Sequence, residues 1–342
     1  MGDPKPKHHS FLSPRHKDHF RWGLYGCGPM ARLFAKAVCK SPNSNLTIVA
    51  ARDTSAAHTM FQESQACDFG SFEDTISRDD VDGIYIEGDP RERLRLALLA
   101  LRSRKHVLCD GSMLPDLYEL EQVRHVSACV QRVFWVSTPH RYHRGLQTIR
   151  RRIEDSAIGR PETLIVECGF HAPKGWEERG YHSKPGEAAL AVAGSRCVDI
   201  VRYLVPKTWR CRRYWYSKHP LGFDQFGIGI LQSANGCVAY FVASIQGRLR
   251  NRVVVYGSEG GLETDAPYDP EFRDFAWDVG KEADRGRFGL TSLQNLLAIE
   301  ASRFAERVQD PASRQKCISQ GAKEALRNCG VLRKLRSGLW DG

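Results

Sequence analysis

Gly26, Gly28 and Ala31 stand in the spacing Gly-x-Gly-x-x-Ala, where an apolar run gives way to a helical pattern. The first glycine permits a tight turn, the second lets backbone approach a phosphate closely, and the small third residue lets helix pack on strand. Such a turn aims the free N–H groups of a helix start at an anion, so Gly26, Cys27, Gly28, Pro29, Met30 and Ala31 form a candidate pyrophosphate site. Gly88, past a later strand, is counted with it. Asp53 follows the second strand, where a carboxylate would grip a ribose hydroxyl. Its neighbour Arg52 could instead pair with a 2′-phosphate, which leaves NAD and NADP both open and tilts the reading toward NADP.

The elements that must hold this turn can be read from the hydrophobic pattern. Residues 20–25, 46–51, 83–86, 106–109 and 134–137 read as buried strands, and 30–40, 91–103 and 114–131 as helices between them. Met30, Leu33, Phe34, Ala37 and Val38 give the first helix one apolar face. Alternating strands and helices predict a doubly wound parallel sheet, an α/β Rossmann domain over residues 20–138.

The grammar then changes. A helix over 145–155, a strand over 162–170 and a helix over 188–204 precede four β-rich segments at 211–218, 223–232, 236–246 and 252–256. Short turns such as Ala234-Asn235-Gly236 predict an open, mostly antiparallel sheet with helices on one face. Helices over 290–309 and 313–336 close the chain, so residues 139–342 are expected to form an α+β substrate and dimerisation domain.

Composition narrows the function classes. The 342 residues are 42% apolar and 26% charged, which is globular. The net charge of +10 could suit an anionic partner, but the arginines are dispersed. The one run, Arg150 to Arg152, is followed at once by Glu154 and Asp155, as on a solvated helix face, which argues against nucleic acid. No apolar run is long enough to span a bilayer, and the start lacks the apolar core of a secretory signal. Eleven scattered cysteines without paired spacing read as free thiols of a cytoplasmic protein and give no metal site. Residues 1–19, rich in Pro, His and Lys, are expected to be a flexible leader.

Five stretches carry a family resemblance: residues 26–31, 51–53, 80–86 (Asp-Val-Asp-Gly-Ile-Tyr-Ile), 105–109 (Lys-His-Val-Leu-Cys) and 257–260. With them the chain resembles the Gfo/Idh/MocA oxidoreductases across residues 20–337, especially the branch of trans-dihydrodiol and D-xylose dehydrogenases. The resemblance implies a nicotinamide cofactor, a small-molecule substrate held against the second domain's sheet, and a homodimer formed through that sheet.

It also exposes departures. Where such families carry Glu-Lys-Pro, with a lysine that contacts substrate and aids proton transfer, this chain has Asp110, Gly111 and Ser112. The family's Asp-x-Gly-x-His-x-x-Asp segment reads Val192-x-Gly194-x-Arg196-x-x-Asp199. A glycine has no side chain and an arginine stays protonated, so neither can exchange a proton with an alcohol. Substitute carriers are sought on the loops of the second domain: Tyr181, His182 and Lys184 first, with His140, Tyr142 and His143 behind them. Asp110, at the carboxyl end of the fifth strand, and Arg141, Tyr142 and Arg196 are candidate substrate contacts. Arg141 could equally hold the domains together by pairing with a carboxylate.

The expected function is an NAD(P)-dependent oxidoreductase working on a hydroxyl or carbonyl group of a small metabolite through a remodelled active site. The alternative is a family member without hydride chemistry, either a non-redox isomerase, lyase or cyclase or a regulatory pseudoenzyme. An interaction protein with an empty pocket is the third reading.

Overall fold

The computed structural model describes residues 19–111, 116–172, 186–265, 274–279, 286–288 and 292–338, with backbone alone at Pro90, Arg91, 274–279 and 286–288. The leader expected at the start lies outside the described residues apart from His19.

Six strands form the first sheet: β1 (Phe20–Tyr25), β2 (Ser44–Ala50), β3 (Asp68–Gly70), β4 (Gly83–Ile86), β5 (His106–Cys109) and β6 (Phe134–Val136). All pair in parallel in the order β3-β2-β1-β4-β5-β6. Helices α1 (Pro29–Val38), α2 (Thr54–Glu63), α3 (Phe72–Ser77), α4 (Pro90–Arg102) and α5 (Leu117–Val130) complete the crossovers. The order reverses between β1 and β4, which opens a crevice at their carboxyl ends, and open α/β sheets bind ligands there.

The second half begins with a 3-10 turn, Pro139–Tyr142, followed by α6 (Arg144–Glu154) and β7 (Pro161–Gly169). A π-helical turn, Leu190–Gly194, runs into α7 (Ser195–Leu204). Strands β8 (Trp209–Lys218), β9 (Asp224–Ser233), β10 (Val238–Ser244), β11 (Arg252–Gly257), β12 (Gly261–Asp265), β13 (Asp274–Val279) and β14 (Gly286–Phe288) join β7 in an eight-stranded sheet. Of its pairings among the described residues, only that of β7 with β10 is parallel. Gly236, at φ +88, makes the turn between β9 and β10, as the Ala-Asn-Gly signal predicts. The sequence pattern did not distinguish β12, β13 and β14.

The last helices, α8 (Leu293–Gln309) and α9 (Pro311–Ser337), return to the first sheet. Leu297, Ala301 and Phe304 of α8 share one buried cluster with Trp22, Phe34 and Tyr85. Trp22 meets Phe34 edge-on at 5.1 Å and the tilted ring of Phe304 at 5.2 Å, while Phe34 stacks on Tyr85 at 4.0 Å. Burying such rings contributes about 2 kcal/mol each. Ala322, Ala325 and Cys329 of α9 pack with the other face of that sheet. Helix α8 thus packs on the Rossmann sheet, whereas α9 spans both halves, its Val331, Leu332 and Leu335 entering the core of the second sheet.

Candidate active site

The turn between β1 and α1 has the geometry its glycines require. Gly26 sits at φ +121, and a Cβ there would lie 2.8 Å from the Glu87 carbonyl oxygen. Pro29 starts α1, where its missing N–H costs nothing, and Ala31 is fully buried against the sheet. The Cys27 thiol donates to the Ala56 carbonyl oxygen at 3.4 Å. The free N–H groups converge on a carboxylate: Gly28 donates to Glu87 Oε2 at 2.8 Å and Met30 to Oε1 at 3.2 Å. Burial and the nearby Asp110 charge push the Glu87 carboxyl upward, against the pull of the Gly28, Met30 and Ala31 N–H groups.

At the end of β2, Asp53 caps α2, accepting from the Ser55 N–H at 2.9 Å and its hydroxyl at 2.7 Å. Arg52 is exposed and paired with Glu92. Gly88, at φ +148, turns the chain out of β4. The small residues and helix start fit a dinucleotide, with one condition: the anion seat is filled by Glu87.

Beyond Met30 lies a cleft enclosing about 790 Å³, part of it open to solvent. Met30 of α1 lines it with Asp110, Gly111 and Ser137 just past β5 and β6, His140, Ser195, Arg196 and Asp199 from the second half, and Asn328 from α9. Asp110 accepts from the buried Arg93 at 2.9 Å. A Cβ at Gly111 would lie 2.3 Å from the Ser137 carbonyl oxygen, so this backbone approach excludes any side chain there.

Asp199 organises the inner wall. His140 Nε2 lies 2.7 Å from its Oδ2, Arg141 binds it through two nitrogens at 2.8 and 2.5 Å, and Asn328 donates to Oδ1 at 2.7 Å. Burial opposes its ionisation, yet the Arg141 charge and the His140 hydrogen bond hold it well below the usual carboxylate range. Burial lowers the His140 pKa against the pull of Asp199, which favours neutral imidazole. Behind this wall, buried Glu300 of α8 accepts from the Ser137 hydroxyl and the Thr138 N–H, each at 2.6 Å. The strand-to-turn segment carrying His140 is thus pinned from α7, α8 and α9.

The description "Oxidoreductase family, NAD-binding Rossmann fold" matches residues 20–138, and "GFO/IDH/MocA C-terminal domain" matches residues 146–263. The chain belongs to the Gfo/Idh/MocA oxidoreductase family. It is 23% identical to trans-1,2-dihydrobenzene-1,2-diol dehydrogenase of Xenopus tropicalis over 254 residues, covering 71% of this chain and 74% of the relative. A dTDP-3,4-didehydro-2,6-dideoxy-α-D-glucose 3-reductase of Saccharopolyspora spinosa is 22% identical over 73% of this chain and 76% of its own. The fold matches that of the 3-ketoreductase KijD10 from Actinomadura kijaniata, solved with NADP and TDP-benzene, at TM-score 0.80 and 17% identity over 94% of this chain and 98% of that one.

The Gfo/Idh/MocA frame brings together Gly26, Cys27, Gly28, Pro29, Met30 and Ala31 at the β1–β4 crevice, with Asp110 and Arg196 on the adjoining cleft. Arg141 and Tyr142 do not line that cleft. Arg141 takes the other role considered for it, pairing with a carboxylate, because Asp199 binds it in bidentate fashion. Tyr142 instead borders a small hollow with Glu300, Phe304 and Arg307. His143 caps α6, accepting from the Leu146 N–H at 3.4 Å. Tyr181, His182 and Lys184 lie outside the described residues. Apart from a carboxylate directly after β4, beside Gly88, the sequence leaves no mark of Glu87 or Glu300, nor of Asp199 as the hub for His140 and Arg141.

Proposed function

We propose that this family member is an NAD(P)-dependent oxidoreductase acting on a hydroxyl or carbonyl group of a small metabolite, with proton transfer carried by a group other than the family's lysine and histidine. What supports the reading most is the shared cleft, in which a buried His140 backed by Asp199 sits across from Met30 and Asp110 at the end of the dinucleotide turn. A bound nicotinamide would exchange the hydride. The chain's part is to hold the substrate, through Asp110 and Arg196, and to move the hydroxyl proton. Neutral imidazole is the form that can accept it, and Asp199 would stabilise the imidazolium that results. Tyr181, His182 and Lys184 are the rival carriers.

Arg52, exposed at the ribose end, supplies a cation for a 2′-phosphate, which favours NADP over NAD. The dimer is assigned to the open face of the second sheet, and the exposed thiols of Cys39, Cys67 and Cys129 fit a reducing cytoplasm.

One observation favours the alternative of a cofactor-binding member without hydride chemistry: the Ser137 carbonyl leaves no room for a side chain at Gly111. The deciding experiment incubates purified protein with NADP or NADPH and a panel of trans-dihydrodiols, aldoses and ketosugars, following the nicotinamide absorbance. Turnover supports the redox reading, whereas tight binding without turnover of any substrate supports the alternative.

A further inference from the structure

The anion seat of the dinucleotide turn is filled from within the chain. Both carboxylate oxygens of Glu87 are engaged by backbone N–H groups at the start of α1, at 2.8 Å from Gly28 and 3.2 Å from Met30. A Cβ added at Gly28 would lie 2.3 and 2.6 Å from those two oxygens. One added at Gly26 would lie 3.0 Å from Oε2. The space that the missing side chains leave open is therefore the space the carboxylate takes. A helix N-terminus with converging N–H groups binds a phosphate and a carboxylate by the same charge-assisted hydrogen bonds. It cannot hold both at once, because the oxygens would overlap and two like charges would share one dipole.

We propose that Glu87 is an internal competitor for the cofactor: its carboxylate occupies the pyrophosphate seat of the free protein, and a dinucleotide binds only in exchange for it. The proposal rests on the reading that this turn takes a dinucleotide. Glu87 sets affinity as a population, since the apparent binding constant is weakened by the fraction of molecules whose seat is closed. Closure in about nine molecules of ten weakens binding about tenfold. Room for the exchange lies beside Gly88, where, among the described residues other than its chain neighbours, an added Cβ would meet Tyr25 at 3.9 Å.

The test measures equilibrium binding of NADPH and of ADP-ribose to the full chain and to the Glu87→Gln and Glu87→Ala variants. Glu87→Gln keeps the shape and one acceptor oxygen, so it remains informative where the alanine variant folds poorly. The expected result is binding of both ligands at least tenfold tighter in Glu87→Ala than in the wild type, with Glu87→Gln between them. ADP-ribose carries the pyrophosphate without the nicotinamide, so a gain confined to NADPH places the effect elsewhere and overturns the proposal. Equal or weaker binding of both ligands by the variants overturns it while leaving the dinucleotide site intact. No binding by any of the three proteins removes the dinucleotide reading itself, and the competitor with it.

Discussion

His140 Nε2 and Asp199 Oδ2 lie 2.7 Å apart across 59 residues of sequence, both nearly sealed from solvent at the wall of the cleft. A carboxylate in that position fixes the tautomer and orientation of an imidazole, as it does in the Ser-His-Asp triad. His140→Ala is expected to lower kcat by about 10²–10⁴-fold, the usual contribution of a positioned acid or base. NADPH affinity should stay within about twofold, since a proton carrier acts on the chemical step and adds little to ground-state binding. His182→Ala, assayed alongside, separates the rivals: full activity in His140→Ala with loss in His182→Ala would transfer the role.

Asp199 has a second duty that Asp199→Asn exposes. The carboxylate neutralises Arg141, whose side chain is only 19% exposed, and removing one member of a buried ion pair costs about 3–5 kcal/mol. Chemical denaturation should show a loss of that size, whereas a loss below about 1 kcal/mol would mean that Arg141 finds other compensation. Because the folded-state pKa of Asp199 is depressed, its contribution is present above the unfolded carboxylate pKa of about 3.9 and is lost as pH falls below it. An asparagine side chain has no such titration, so the variant should lose less stability than the wild type as pH is lowered.

The open face of the second sheet bears on assembly. Tyr240 is paired in register with Ile230 on one side and Ile165 on the other, and Trp215 with Ile228. Trp215 is 59% exposed and Tyr240 is 37% exposed, so this contiguous apolar belt faces solvent in the single chain. An exposed apolar sheet face of this kind suits a two-fold dimer. Sedimentation should find a dimer for the wild type and a monomer for the double variant Ile230→Lys, Tyr240→Asp. A monomeric wild type would remove this face from the assembly.

Much of this molecule is local in sequence, and that part can be read directly. The strand, the Gly-x-Gly-x-x-Ala turn and the helix lie within residues 20–38, and the Asn-Gly turn between β9 and β10 spans a few residues. Strand and helix periods, and the special φ values of Gly26 and Gly236, leave marks at that range. The rest depends on contacts that no window contains. Glu87 reaches Gly28 across 59 residues, and Ser137 meets Glu300 across 163. The apolar faces of α8 and α9 announce that these helices are buried but not against which sheet, which is why they could be grouped with the second domain. Arg141 shows the limit most plainly: a site contact and an ion-pair anchor look alike in sequence, and only the position of Asp199 separates them.

Glu300 makes a prediction of opposite sign to that of Asp199. Its carboxyl is fully buried, and burial pushes its pKa up to about 7 against the opposing hydrogen bonds from Ser137 and Thr138. A group whose folded pKa lies above its unfolded value binds its proton more tightly when folded. Its contribution to stability is complete below the unfolded value of about 4.3 and is lost as pH rises through the folded one. The wild type should therefore lose stability across that window relative to Glu300→Gln, whose amide cannot ionise. The comparison is made by denaturation at a series of pH values, subtracting one protein from the other so that shared titrations cancel. Because Glu300 holds the segment that carries His140, any activity should decline in the same range as deprotonation loads a buried charge behind that wall. Parallel stability curves for the two proteins across that window would show that Glu300 does not titrate there.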